Sequence, residues 1–217
     1  MLERHARVLV GVSGGIDSLT LFHLLRVYNT RYRTGRQINA AYIDPCFPQQ
    51  DRRKIQEFFV KTGADHRIVR ANNYRRITKT RNKCYVCARE RHRRLIEVAE
   101  ELNIFHIVLA HHRDDVAETL LLNMFYAGRM STLVPKQPVL QGRFYYIRPM
   151  YYLSKAEIAA IARASGLTPL AGACPYYENS RRKTIRTILD QLGKKNPDIY
   201  PNIFHSFFNM RRDYVPS

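Results

Sequence analysis

The feature that most constrains this chain is an alternation. Strand-sized apolar runs are each followed by a turn and then by a stretch of helical periodicity. Arg7–Val12 is Val-rich and reads as a strand buried on both faces. Ser13-Gly14-Gly15 breaks it, and Ile16 to about Val27 then carries Leu21, Leu24 and Leu25 at helical spacing. The same syntax predicts strands at Ile38–Ile43, His66–Val69, Ile104–Ala110 and Tyr145–Ile147. It predicts helices from Asp51 to about Thr62, over Cys87–Leu102 and over Asp114–Tyr126. A further helix, Ser154–Ser165, opens on Ser154 and Glu157 at capping-box spacing and stops at Gly166. Strands separated by helices imply βαβ units and a parallel, doubly wound, Rossmann-like α/β sheet of five strands with helices on both faces. Ala127–Arg143 reads as a loop, and a helix is expected after Cys174. A length of 217 residues suits one domain. We expect 1–165 to be the α/β core and 166–217 a C-terminal helical extension.

In such a sheet, ligands bind at the carboxyl ends of strands, near a topological switch point. The residues that look chemical fall there: Ser13 to Ser18, Asp44, and His111 to Asp115. Two glycines after a buried strand let the backbone turn tightly with its N–H groups clear of side chains. With the following helix N-terminus those amides make an anion pocket. Ser13 and Ser18 add hydroxyls, and Asp17 is placed to hold Mg²⁺ against phosphates. The bland alternative is a simple strand-to-helix turn. Neither a Walker loop nor a dinucleotide fingerprint fits, because no Gly-Lys-Ser/Thr and no third glycine follows.

Ser13-Gly14-Gly15-Ile16-Asp17-Ser18 resembles the pyrophosphate loop (PP-loop) of ATP pyrophosphatases, written Ser-Gly-Gly-x-Asp-Ser. That resemblance implies an adenine nucleotide α-hydrolase type of fold. It also implies cleavage of ATP to AMP and pyrophosphate, with Ser13, Gly14, Gly15, Asp17, Ser18, Asp44 and His111 around the nucleotide. Many members carry Lys where this chain has Ile16, so one phosphate contact is absent here or supplied from elsewhere.

The second motif, Ala110-His111-His112-Arg113-Asp114-Asp115, is poor core material at a strand end. Its acids suit a helix N-terminus, and capping alone would account for them. The functional reading gives Asp114 or Asp115 to a Mg²⁺–phosphate cluster, and His111 to the leaving phosphate or the activated oxygen. The run from His111 to Thr119 resembles that of RNA-modifying PP-loop enzymes, including tRNA lysidine synthetases and tRNA thiolases. With Leu120–Gly128 and Arg148-Pro149 the likeness covers most of the chain. It implies adenylation of a nucleobase carbonyl in tRNA, with Asp17, His111, Asp114 and Asp115 as the catalytic set.

Cys84-x-x-Cys87 alone is ambiguous between half a zinc site, a redox pair and part of an iron–sulfur site. Adding Cys174 gives three thiolates, enough for a [4Fe–4S] cluster with one free iron. Adding Cys46 as well would close a tetrahedral zinc site. The set Cys84, Cys87 and Cys174, with Cys174-Pro175, Asn179 and Arg182, resembles the tRNA 2-thiocytidine synthetase branch, which implies the [4Fe–4S] cluster. It also implies replacement of a cytidine C2 oxygen in the anticodon loop by sulfur. Partners on this reading are tRNA, a cysteine desulfurase or other sulfur donor, and, from family habit, a second copy in a homodimer. The competing readings are an adenylating ligase or amidotransferase with structural zinc, and a noncatalytic RNA-binding relative.

Charge agrees with an RNA partner. Lys plus Arg is 36 against 18 Asp plus Glu, a formal net charge of +18, and such an excess attracts polyanions. Arg75, Arg76, Lys79, Arg81 and Lys83 precede the Cys pair, Arg89, Arg91, Arg93 and Arg94 follow it, and Arg181, Arg182 and Lys183 follow Cys174. Tyr74, Tyr85, Tyr151, Tyr176 and Tyr177 are candidates to stack on splayed bases, although packing accounts for each as well. Apolar runs are too short to span a bilayer and no leader follows Met1, so the expected site of action is the cytoplasm, away from membranes.

Overall fold

The computed structural model describes residues 2–47, 51–72, 74–170, 172, 174–209, 211 and 213. In chain order the elements are β1 (Arg7–Gly11), α1 (Ile16–Arg31), β2 (Gln37–Asp44), α2 (Arg52–Thr62), β3 (His66–Arg70), α3 (Tyr74–Lys79) and α4 (Lys83–Glu101). There follow β4 (His106–Val108), α5 (Arg113–Ala127), β5 (Lys136–Val139), β6 (Phe144–Ile147), α6 (Lys155–Ala164), α7 (Arg181–Gly193) and α8 (Ile199–Ser206). The six-stranded sheet runs β3-β2-β1-β4-β6-β5. All neighbours are parallel except the β5–β6 pair.

Alternation along β1 sets the two layers. Val8 and Val10 point to one face, where Leu19, Leu21 and Phe22 of α1, Ile55 and Phe59 of α2, and Ile158 of α6 bury them. Leu9 points to the other face, against Leu95, Val98 and Ala99 of α4. Each such aliphatic side chain contributes about 1.5–3 kcal/mol by leaving water. A third, smaller cluster joins Val116 of α5 to Tyr151 and to Phe204 of α8. Thus α8 extends the fold by packing on α5 rather than on the sheet. Among the described residues, no helix is long and apolar enough to cross a membrane.

Three departures from expectation bear on the site. The sheet has a sixth strand, because Lys136–Val139 pairs antiparallel with β6 at the sheet edge. Pro138 sits in that edge strand, where a missing N–H is tolerated. Second, α4 begins at Lys83 rather than Cys87, so both cysteines of the Cys-x-x-Cys pair lie in its first turns. Asn82, its N-cap residue, makes no side-chain cap hydrogen bond. Third, α3 precedes it as a short separate helix.

The strand order reverses between β1 and β4. The chain runs outward through β2 and β3, then returns to β4 on the far side of β1. A crevice opens above that switch point. The two motifs sit on the carboxyl ends of the strands that flank it.

Candidate active site

The loop after β1 is folded on itself by short-range hydrogen bonds. Gly14 has φ +78, a conformation that L side chains rarely adopt. The Ser18 hydroxyl donates to the Gly15 carbonyl (2.8 Å) and accepts from the Ser13 amide (3.0 Å). The Ser13 hydroxyl donates to Ser18 Oγ (3.1 Å) and accepts from the Gly15 amide (3.3 Å). The Gly14 carbonyl accepts from the Leu170 amide (2.9 Å), tying the segment after α6 to this turn. Helix α1 starts at once with Gly15 as its N-cap residue, so its first amides, which have no intrahelical acceptors, face the crevice mouth.

Asp17, on the first turn of α1, joins the two motifs. Its Oδ2 lies 3.8 Å from His112 Nε2, and its Oδ1 is ion-paired with Lys155 Nζ from the first turn of α6. His112 caps α5 and is 2% exposed. Its amide donates to Asp115 Oδ2 (3.1 Å), and its Nε2 stands 3.3 Å from the same oxygen. Burial pushes the Asp115 carboxyl up. His112, His111, Arg182 and the His112 amide more than offset that, and Asp115 ends below the ordinary carboxylate range.

The acid pair splits. Asp115 lines the crevice, while Asp114 turns toward α6, its Oδ2 accepting the Lys155 amide (3.2 Å). Burial raises the Asp114 carboxyl, although His112, the Lys155 amide and Arg113 oppose the rise. Asp44 also stands apart. One carboxylate oxygen accepts the Cys46 amide (2.8 Å) and the other pairs with Arg52 (3.0 Å). Asp44 therefore seats the start of α2, and its neighbour Ile43 is the residue of β2's end that lines the crevice.

His111 faces the crevice beside Leu109 and Ala110. Its Nδ1 accepts a hydrogen bond from Arg148 Nε (3.1 Å). A guanidinium has only donors, so the His111 proton sits on Nε2. Burial, reinforced by Arg148, Arg182 and Arg91 against the opposing pull of Asp115, lowers His111 to about 3, and the ring is neutral at physiological pH. Arg148 itself is 1% exposed and is held by the Val134 carbonyl (2.6 Å) and Gln137 Oε1 (2.9 Å). These partners are neutral, so a buried positive charge remains behind His111. Burial lowers its guanidinium to about 10, still charged at neutral pH.

The crevice is bounded by Ser13, Asp17, Ser18, His111, Asp115 and, on the α4 wall, Arg91. Arg91 also faces Cys87 and Cys174. Partial desolvation raises the Cys84 thiol; Cys174 adds to this and Arg182 opposes it. Desolvation likewise raises Cys87, Arg91 opposes it, and Cys174 and Cys84 reinforce it. All three cysteines are thus near enough to feel one another's charge, on a rim that shares two guanidiniums with the crevice. Among the described residues no three His, Cys, Asp or Glu side chains are gathered tightly enough to hold a metal ion, so the thiols are neighbours and not yet a cage. The donor set fits a cationic, thiophilic group: three soft thiols that discourage one another's ionisation, with arginines alongside. Cys46, the fourth thiolate of the zinc alternative, lies at the end of β2 with its Sγ 3.6 Å from the Asp44 carbonyl.

Helix α7 fixes the position of Cys174. Arg186 Nε donates to buried Glu118 of α5 (2.6 Å), and its Nη1 donates to the Tyr177 hydroxyl (2.8 Å). The Tyr177 amide in turn donates to the Cys174 carbonyl (3.1 Å). Arg182 reaches Asp115 (3.3 Å) from the same helix. Burial raises the Glu118 carboxyl, opposed by Arg186 and Arg182.

The basic segments divide. Arg76, Arg93 and Arg94 converge on buried Glu90, so they brace α3 against α4. Arg75, Lys79, Arg81 and Arg89 stay exposed in the segments that flank the Cys84–Cys87 pair in the chain. Among the tyrosines proposed to stack on bases, Tyr151 is fully buried against Phe204 and cannot. Tyr177 is committed to Arg186, Tyr176 packs on Phe47, and Tyr85 remains 65% exposed. Sequence reading missed Lys155, His112, Arg148 and Arg91 as site residues. His112 was signalled by its adjacency to His111, Arg148 by the Arg148-Pro149 pair and Arg91 by the basic run after Cys87, although only the fold assigns them to the site; Lys155 had no local signal.

Residues 2–192 match the PP-loop domain family. A tRNA-cytidine(32) 2-sulfurtransferase of Nitrosospira multiformis is 32% identical over 99% of this chain and 74% of its own length. One from Cupriavidus pinatubonensis is 33% identical over 100% of this chain and 70% of its own. Among solved structures, the U34-tRNA thiolase NcsA from Methanococcus maripaludis, determined with its [4Fe-4S] cluster, superposes with a TM-score of 0.75. It shares 22% identity over 99% of this chain and 74% of that one, a likeness of fold.

Proposed function

The chain belongs to the PP-loop family, and on that footing we propose that it is an ATP-dependent tRNA thiolase that replaces the C2 oxygen of an anticodon-loop cytidine with sulfur. The relatives that match nearly all of its length are tRNA-cytidine(32) 2-sulfurtransferases. One observation carries the reading to this chain: Cys84, Cys87 and Cys174 feel one another's charge, and the two guanidiniums that act on them, Arg91 and Arg182, also stand at the PP-loop crevice, Arg91 in its wall and Arg182 on Asp115.

ATP occupies the crevice with its phosphates at the α1 N-terminus, whose first-turn amides have no intrahelical acceptors, beside the Ser13 and Ser18 hydroxyls. Asp17 holds Mg²⁺, with Asp115 facing it across His112. The C2 carbonyl oxygen of the cytidine attacks the α-phosphorus. The bond from that phosphorus to the bridging oxygen breaks, and pyrophosphate leaves with the electron pair. This step turns a poor leaving oxygen into AMP. Sulfur at the sulfide level then adds to C2 with its own electron pair, its proton passes to water, the C2–O bond breaks, and AMP leaves with that pair and the oxygen. Neutral His111 serves as a hydrogen-bond donor through Nε2, and buried Arg148 behind it adds fixed positive potential where negative charge develops. Cys84, Cys87 and Cys174 hold a [4Fe–4S] cluster, which when bound supplies an iron free to carry sulfur. Arg91 and Arg182 offset the negative charge gathered there.

Exposed Arg75, Lys79, Arg81 and Arg89, in the segments that flank the Cys84–Cys87 pair, dock the tRNA backbone. The reading also includes a cytoplasmic setting, a cysteine desulfurase or other sulfur donor, and a homodimer that extends the basic surface. The deciding experiment is mass spectrometry of nucleosides in tRNA from a strain lacking the protein. Loss of 2-thiocytidine, restored by the wild-type chain, is expected. Unchanged 2-thiocytidine would reject the proposal.

A further inference from the structure

The PP-loop turn of this chain is rich in hydroxyls and amides but carries no cation of its own: Ile16 occupies the position after its second glycine. A cation is nevertheless present at the loop. Lys155, at the first position of α6 and 138 residues from Asp17, ion-pairs with Asp17 Oδ1. Its placement is built in three ways. Ser154 and Glu157 form a capping box that starts α6 at this residue. The Lys155 amide is anchored on Asp114 Oδ2 (3.2 Å). The segment after α6 is tied back to the Gly14 carbonyl through the Leu170 amide (2.9 Å). The Lys155 side chain stays 43% exposed, so it is free to change partner. Arg91 lines the opposite, α4 wall of the crevice, and the guanidiniums of Arg148 and Arg182 are held by their own partners.

We propose that Lys155 is a phosphate-binding residue of the ATP site, supplying from α6 the charge that position 16 of the loop lacks. The inference rests on the ATP-binding reading of the crevice. In the free chain Lys155 neutralises Asp17. When Mg²⁺–ATP binds, Asp17 turns to the metal and the released ammonium turns to a phosphate oxygen. The two cations thereby exchange places around one carboxylate without leaving either charge unpaired.

Calorimetric titration of the full chain with Mg²⁺–ATP, Mg²⁺–pyrophosphate and adenosine tests this. Lys155→Met is expected to weaken ATP and pyrophosphate by roughly tenfold or more, the equivalent of one charge-assisted hydrogen bond, and to leave adenosine unchanged. Ile16→Lys added to Lys155→Met is expected to regain most of the lost affinity, since it returns a cation to the same helical turn as Asp17. ATP affinity within about twofold of wild type in Lys155→Met would overturn the inference. So would a parallel weakening of adenosine, which would make Lys155 a prop of the fold. Asp17→Ala is run alongside. If the wild-type chain binds no ATP, or Asp17→Ala binds and cleaves it normally, the reading of the crevice itself fails and this inference goes with it.

Discussion

The PP-loop turn and the cysteine rim lie at the same end of the sheet but are built by different means. The hydrogen bonds that fold the turn on itself span five residues or fewer, and longer-range contacts reach it at Gly14, from Leu170, and at Asp17, from Lys155 and His112. The rim draws Cys84 and Cys87 from α4 and Cys174 from the approach to α7, and no metal-holding trio is closed among the described residues. The turn holds its own shape through bonds within Ser13–Ser18. The thiols are brought into range by the brace between α5 and α7 and need a ligand to complete them. The nucleotide half of the site should therefore survive damage to the cysteine half, while the reverse depends on which support is cut.

The largest effect tests that independence directly. Cys174→Ala is expected to lose bound iron and labile sulfide and to reduce tRNA thiolation to background. ATP binding by the same protein should be unchanged. A variant that keeps its full iron complement and still thiolates tRNA would break the three-thiolate assignment. Asp17→Ala is the mirror experiment. Formation of AMP and pyrophosphate should fall by about 10²–10³-fold, on the scale of removing one preorganised electrostatic group, while iron content holds. Loss of iron in Asp17→Ala would show that the two halves are one unit.

Legibility from sequence follows the same division. Ser13 to Ser18 could be read directly because strand, glycines, hydroxyls and acid are consecutive. Helix α6 could be read from Ser154 and Glu157, and the structure contains that capping box. Asp44 satisfied every sequence criterion for a strand-end ligand, yet its charge goes to Arg52. Nothing local distinguishes an acid that seats a helix from one that faces a crevice. Strand β5 was hidden because Lys136–Val139 contains Pro138 and draws its pairing wholly from β6. The partners of Lys155 and Arg148 were invisible for another reason: they lie 138 and 37 residues away.

Arg148 sharpens the comparison from the nucleotide side. Arg148→Met keeps side-chain bulk but removes both the donor to His111 Nδ1 and the nearby positive charge. The His111 ring is then free to take either tautomer, and its pKa should rise from about 3 toward the ordinary value. Turnover is expected to drop by roughly tenfold or more and to gain an acid limb absent from wild type. A variant whose rate falls with no change in pH profile would leave Arg148 with a merely structural role.

Glu118 tests the brace. Glu118→Gln leaves Arg186 and Arg182 without their buried carboxylate, at a cost of about 3 kcal/mol, the low end for breaking such a pair because both arginines are partly exposed. With Arg186 no longer anchored on a carboxylate, its bond to the Tyr177 hydroxyl loses its support and the turn should hold Cys174 less firmly. Alkylation of Cys174 in the cluster-free chain should then quicken relative to Cys84, as followed by mass spectrometry. A ratio of Cys174 to Cys84 alkylation unchanged from wild type would separate the brace from the rim.

The smallest expected effect is a pH dependence of stability that belongs to the wall between the halves. His92 packs on Tyr146 (5.1 Å between ring centroids) on the crevice side of α4. Burial, then Arg91 and Arg148, lowers it to about 4; His111 is lowered to about 3. Both values lie below those of the unfolded chain, so as pH falls the unfolded state takes up protons first. Their contribution is therefore whole above about pH 6.5 and is lost progressively as pH drops toward 4 and then 3. Between pH 7.5 and 5 the melting temperature should fall, with each kcal/mol worth roughly 2–4 °C for a chain of this size. His92→Phe keeps a ring against Tyr146 and removes one of the two titrations, so its melting temperature should fall less over the same interval. An identical slope in wild type and His92→Phe would mean that His92 titrates in the folded wall as freely as in the unfolded chain, and that α4 opens there more than its packing implies.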